Sequence, residues 1–235
     1  MYSLVIKDNE YKIPERLTIK KWKEVRKFDI NMDFTHNRIL SIILGIPDDL
    51  IELIPEETKE LTLTFLSSIL FPVELFLDKI EEFNGGDYIN LDSITLGDFI
   101  DLEIYITDGF EKHVEDVVYK LYGKQVNDDN YITEVLGGIY HYLKWRNNLY
   151  KSYKNLFNLG GEGYKEEVID KVSIEDVKKG WYKIIVSLCD SDILKMNTVT
   201  SLPLIQAFNW LAYHKDKQQE ELEKQNDLQR NNRHI

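Results

Sequence analysis

The sequence predicts a mainly α-helical fold, with an internal helical duplication and a short N-terminal β-hairpin, and three observations carry that reading. Residues 17–29 and 94–106 state one pattern twice. Leu17-Thr18-Ile19 is followed by Trp22, Val25 and Phe28, and Ile94-Thr95-Leu96 by Phe99, Leu102 and Tyr105, every matched pair 77 residues apart. A Thr followed by large apolar groups at i+1, i+4, i+7 and i+10 is the start of a capped amphipathic helix. The hydroxyl accepts from orphan backbone N–H groups, and the 3.6-residue period gathers the apolar set on one stripe. Further stripes at helical spacing follow along most of the chain. Strand character, by contrast, is confined to the first residues.

In chain order, residues 2–6 and 11–13 flank Lys7-Asp8-Asn9-Glu10, where Asp8-Asn9 supplies a turn between two short strands. Thr18 caps a first helix to about Phe28. Asp33 or Thr35 opens a second through Ile39, Leu40, Ile43 and Leu44, stopped by Gly45 and Pro47. Pro47 suits the first turn of a short segment through Leu53. Pro55 does the same for a longer helix, whose Glu56 and Glu57 face the positive end of the helix dipole and which Pro72 interrupts. Asn84-Gly85-Gly86-Asp87 is a turn-rich break between the two copies.

The second copy starts at Thr95 and stops at Asp108-Gly109. Helix resumes from about Phe110 to Tyr122, ended by Gly123. A loop at Asn127 to Asn130 precedes a long helix from Tyr131 to Phe157, which carries Tyr140, Trp145, Leu149 and Tyr153. Leu159-Gly160-Gly161-Glu162-Gly163 reads as a linker, because glycine maximises backbone freedom. Ser173, with Asp176 three residues on, is a capping signal for a stripe of Trp181, Ile184, Ile185 and Leu188. Ser191-Asp192 caps one more turn. Ser201-Leu202-Pro203 opens a last helix with Ala207, Phe208 and Leu211. From Lys215 the stripe fades, leaving Leu222 and Leu228 isolated among Gln, Glu, Lys and Asn. Alone, such a segment frays unless a partner holds it. The organisation read from these signals is residues 1–84, hairpin plus first helical unit; 85–159, second unit; 160–214, C-terminal helices; and 215–235, polar tail.

Composition narrows the function classes. A chain of 235 residues with 43% hydrophobic content can bury a core without staples. Its net charge of −12 argues against direct nucleic-acid binding, which needs Lys and Arg to displace counterions. Lys20, Lys21, Lys23, Arg26 and Lys27 crowd one helix, but opposite its apolar stripe, as a solvated face does. The single cysteine, Cys189, follows the run Ile184 to Leu188 and reads as a buried thiol of a reducing compartment. Neither a signal peptide nor a membrane span is expected, since Leu61 to Leu77 is broken by Thr, Ser, Pro72 and Glu74.

Chemical motifs are weak. His36, His113 and His141 have no second His or Cys at i+3 or i+4. Asp128-Asp129 and Asp190-Ser191-Asp192 lack the spacing of a calcium loop. Gly160 to Gly163 follows a helix, not a strand, and continues into Tyr164-Lys165, so it is not a phosphate loop. The pairs Glu56-Glu57, Glu81-Glu82 and Glu166-Glu167 lie on polar faces or at helix starts. No metal ligand, cofactor site or catalytic residue is assigned.

Several blocks resemble a known group of proteins. Ile94-Thr95-Leu96-Gly97-Asp98-Phe99-Ile100-Asp101-Leu102-Glu103 is similar to a stretch in helical proteins of the tail and virion gene modules of tailed bacteriophages. A short helix ending in a Leu-Tyr pair follows there, as Val117 to Tyr122 does here. A later Leu-Pro-Leu with an aromatic-rich helix matches Ser201 to Leu211. This chain has Gly123-Lys124 where that group carries Arg-Pro. The resemblance implies a non-enzymatic role in virion or tail assembly, in the host cytoplasm and then in the particle. Implied partners are other phage structural proteins or copies of the chain itself. A transient assembly chaperone is the alternative. A helical hydrolase with a carboxylate site assembled by the fold, or an acidic module binding a host protein, are the rivals from other classes. Because interfaces concentrate their binding energy in buried aromatics, Trp22, Trp145, Trp181 and Trp210, with Leu222 and Leu228, are the candidate interface residues.

Overall fold

The computed structural model describes residues 3–29, 32–70, 78–157 and 173–232. It is mainly helical, with the expected hairpin at the N-terminus: β1 (Ser3–Ile6) pairs antiparallel with β2 (Asn9–Lys12), Ile6 opposite Asn9. The turn falls on Lys7-Asp8 rather than Asp8-Asn9. Both take positive φ (48° and 63°), the backbone that joins two strands through two residues without fighting their twist. Leu4 and Ile6 point inward and Val5 outward, the alternation of a strand with one buried face.

Among the described residues ten helices follow: α1 (Ile19–Val25), α2 (Asp33–Leu44), α3 (Asp48–Ile51), α4 (Glu56–Leu70), α5 (Leu96–Thr107), α6 (Val114–Tyr122), α7 (Thr133–Ser152), α8 (Ile174–Leu188), α9 (Met196–Thr200) and α10 (Leu204–Asn232). Most boundaries sit where the punctuation put them. Gly45 and Gly123 close α2 and α6 in the left-handed conformation, and Pro47 precedes α3. The stretch Phe110 to Tyr122 is broken, with a 3₁₀ turn at Phe110–Lys112 before α6. The break at Asn84-Gly85 is itself a second hairpin, joining β3 (Glu82–Phe83) to β4 (Gly86–Asp87), with Asn84 at φ 51° and Gly85 at φ 73°. The linker at Leu159 to Gly163 lies outside the described residues. Among the described residues no helix is long and apolar enough to cross a membrane.

The chain divides into two compact units, the first Met1–Ile89 with Gly109–Tyr142, the second Asn90–Asp108 with Leu143–Ile235. Each contains one copy of the sequence repeat, and each copy makes the same local structure. In the first unit Thr18 caps α1, accepting from Lys21 N–H, while the residues around it bridge to the start of α7: Ile19 N–H donates to Asn130 O (2.8 Å) and Ile132 N–H to Leu17 O (2.9 Å). In the second, Thr95 caps α5, accepting from Asp98 N–H. There Leu96 N–H donates to Leu202 O (2.9 Å) and Leu204 N–H to Ile94 O (2.9 Å). The bridged partners, Asn130 to Ile132 and Leu202 to Leu204, are 72 residues apart and each opens a long helix. Burial repeats as well. Leu17, Ile19, Trp22 and Val25 match Ile94, Leu96, Phe99 and Leu102. Ile132, Val135 and Leu136 match Leu204, Ala207 and Phe208, and all are buried.

The unit is therefore a capped helix stapled by one antiparallel bridge to a second helix, and the fold uses it twice. Because each Thr satisfies an otherwise orphan helix N–H, Thr95→Ala is expected to cost about 1 kcal/mol, with Thr18→Ala similar. Urea unfolding of both single variants checks it.

Candidate interaction surface

The candidate surface is built on the second unit. Phe99, one turn into α5 and fully buried, is ringed by aromatics on three other helices. Its centroid lies 6.3 Å from Trp145 and 6.1 Å from Tyr150 on α7, 5.7 Å from Trp181 on α8 and 5.7 Å from Phe208 on α10, all near edge-to-face. Edge-to-face contacts set a positive ring edge against a negative face, adding to the burial itself.

Glu103, two residues from the end of the same apolar stripe, is 3% exposed. Arg146 straddles its carboxylate, Nε donating to Oε1 and Nη2 to Oε2 (2.7 Å), and the Tyr150 hydroxyl donates to Oε2 (2.6 Å). A charge removed from water must be met by charged or strong donors, and a two-pronged guanidinium does this with fixed geometry. At the matched position of the first unit stands Arg26, whose Nη2 donates to Glu111 (2.6 Å), with Trp22 in Phe99's place 6.1 Å from Phe110. Both copies thus put an ion pair beside the central ring, with the sign reversed.

Burial governs the tyrosines of these cores. Desolvation, followed by the Glu103 charge, pushes the Tyr150 phenol far above its ordinary range. Desolvation likewise raises Tyr88, which donates to Gly138 O (3.0 Å). Tyr122, donating to Ile80 O (3.1 Å), is pushed up to about 12. A raised phenol is neutral in the folded state where it ionises in the unfolded one. Its contribution to stability is complete below the ordinary tyrosine pKa of about 10 and is lost as pH climbs toward 12. Phenolate absorbance at 295 nm is expected to show these three of the 14 tyrosines rising only with the loss of helical circular dichroism.

The six candidate interface residues fall into three groups. The rings of Trp22, Trp145 and Trp181 pack inside the chain, against Phe110 or Phe99. Trp210 and Leu222 are exposed, by 40% and 55%, on α10. Leu228 lies on the same helix, outside the described side chains. The first part of α10 is anchored by Leu204, Ala207 and Phe208. Its middle is held where the Tyr153 hydroxyl donates to Asn209 (2.7 Å) and Lys215 Nζ to the carbonyls of Asn155 and Leu156. Every side chain from Asp216 to Asn226 is exposed. At the root of this arm Trp210 stacks on His214 (centroids 3.8 Å apart), and Tyr213, 63% exposed, meets His214 edge-on. The result is an aromatic cluster at the base of a polar helix that reaches on for roughly 25 Å.

Sequence reading missed the Glu103–Arg146–Tyr150 network. Its signal was present: Glu103 stands seven residues after Leu96, on the stripe that also holds Phe99, where a lone charge needs a buried partner. Among the described residues no group of three or more His, Cys, Asp or Glu side chains is placed to hold a metal ion. Comparison with protein-family models, curated proteins and solved structures finds no match for this chain.

Proposed function

We propose that this chain is a non-enzymatic assembly protein of a tailed bacteriophage, a virion component that acts by packing against other proteins. The observation that carries the reading is α10. A helix whose side chains from Asp216 to Asn226 all face solvent gains nothing from its own core, because helical stability in proteins comes mainly from packing an apolar face. A helix that is polar all round, rooted in exposed Trp210 and Tyr213, suits a contact with a second molecule. The likeness of the Thr95 and Pro203 blocks to phage tail-module proteins supplies the setting, and those two blocks are the ones that bridge to each other.

Mass spectrometry of purified virions tests the reading, with the protein expected among the particle components. A chain ending at His214 keeps the Leu204, Ala207 and Phe208 anchor, so it is expected to fold yet to be lost from particles. Absence of the full chain from virions, together with a monomeric state in solution, overturns retention in the particle and leaves the transient chaperone.

A further inference from the structure

The N-terminal hairpin leaves one strand edge open, and the two edges differ. In a two-residue hairpin the closing pair, Ile6 and Asn9, exchanges backbone hydrogen bonds, and so does Leu4 with Tyr11. The N–H and C=O groups of Ser3 and Val5 therefore point away from β2, and among the described residues no backbone group meets them. Natural sheets protect such edges with charge, proline or a bulge. β2 carries Glu10 and Lys12, whereas β1 reads Ser3-Leu4-Val5-Ile6, with no such device.

A groove of about 560 Å³ runs beside β1, lined by Ser3 to Lys7 on one side and by Leu53, Ile54, Pro55 and Thr58 on the other. Apart from Lys7 its lining is uncharged. Glu52 immediately precedes the far wall in sequence and Glu57 lies within it, and both are exposed.

We propose that the open edge of β1 and this groove take up one extended segment of another polypeptide, with apolar side chains at alternate positions and Lys or Arg at its flanks. Each feature of the occupant has a cause. Outward donors and acceptors two residues apart on β1 are met in register only by an extended backbone. The apolar wall receives every second side chain of such a strand. Glu52 and Glu57, on a chain of net charge −12, favour basic flanks and disfavour a second copy of this acidic chain. This inference uses no part of α10 and goes beyond the assembly reading.

The test is fluorescence anisotropy of the whole protein with a labelled peptide of sequence Lys-Thr-Val-Thr-Val-Thr-Val-Lys. Saturable binding is expected. It should be at least tenfold weaker for the same peptide with Glu flanks, and for one N-methylated at alternate amides. Val5→Pro removes an outward N–H that the hairpin does not use, and Val5→Lys places a charge on the open strand at a side chain already 73% exposed. Circular dichroism shows whether each variant keeps its fold, and either folded variant is expected to abolish binding. Truncation after His214 should leave binding unchanged, which separates this result from the assembly test. Absence of saturable binding, or equal binding by a folded Val5→Lys variant, overturns the proposal. So does a concentration-dependent dimer in sedimentation that Val5→Lys abolishes, since the occupant is then a second copy.

Discussion

Replacing Arg146 with Met is expected to destabilise the protein by about 3–5 kcal/mol, the cost of leaving a buried charge without its counter-ion. Glu103 is 3% exposed and stands beside the ring of Phe99. Water cannot take over from the guanidinium that straddles it, and the Tyr150 hydroxyl that also meets the carboxylate is a neutral donor. The size of that loss does not mean that the ion pair stabilises the fold by the same amount. Most of it is the penalty of stranding the carboxylate. The triple variant Glu103→Leu, Arg146→Met, Tyr150→Phe removes charge, counter-ion and hydroxyl together, and is expected to recover most of the stability. Urea midpoints of the single and triple variants decide it. If Arg146→Met falls within 1 kcal/mol of the parent, the carboxylate has found other partners and the network is not the keystone of this core.

How far the sequence reaches can be judged from particular elements. Caps and stops were legible because they are local chemistry: Ser173 accepts from Asp176 N–H as its spacing implied, and Gly45 and Gly123 end helices in the left-handed region that glycine enters freely. The repeat was legible because its burial pattern is written in side-chain size. Its consequence was not. Nothing in Thr18 or Thr95 says that the residues beside it will bridge to Tyr131 or Pro203, since that pairing is made across the fold. The β3–β4 hairpin was passed over although Asn84-Gly85 is a strong two-residue turn signal, because its strands are too short to show a period. Trp22 and Trp181 are buried and Trp145 is half-buried against Phe99, and sequence offers no means of separating an aromatic that anchors its own helix from one that anchors a neighbour. Of the candidate interface, α10 was the legible part, since a stripe that ends at Lys215 marks where the core ends.

The two units also show how one pattern tolerates opposite charges. Trp22 and Phe99 hold matched places, yet Arg26 follows one and Glu103 the other, each paired with a residue of opposite sign beside the central ring. What the repeat conserves between its copies is a large ring, a cap and a bridge. The sign of the ion pair is free as long as the partner changes with it.

Gly137→Ala is expected to destabilise the first unit by about 2 kcal/mol or more, although alanine ordinarily strengthens a helix interior by about 1 kcal/mol relative to glycine. A Cβ at Gly137 would stand 2.0 Å from the carbonyl oxygen of Asp78 and 2.7 Å from its carbon, so it meets backbone with nowhere to go. A Cβ at the neighbouring Gly138 would stand 2.4 Å from the Tyr122 hydroxyl, and that hydroxyl donates to Ile80 O. The two glycines thus make a flat strip on α7 where the chain from Asp78 to Ile80 crosses, and a methyl group lifts it away. Loss of that seat should also release Tyr122, so its phenol should titrate nearer the ordinary range of about 10. Gly180 on α8 is the control, because a Cβ there meets nothing within 4 Å. Gly180→Ala is expected to gain about 1 kcal/mol, giving the two substitutions opposite signs in the same helical context. If both stabilise, the 78–80 segment does not lie on α7, and the close crossing described for this unit is wrong.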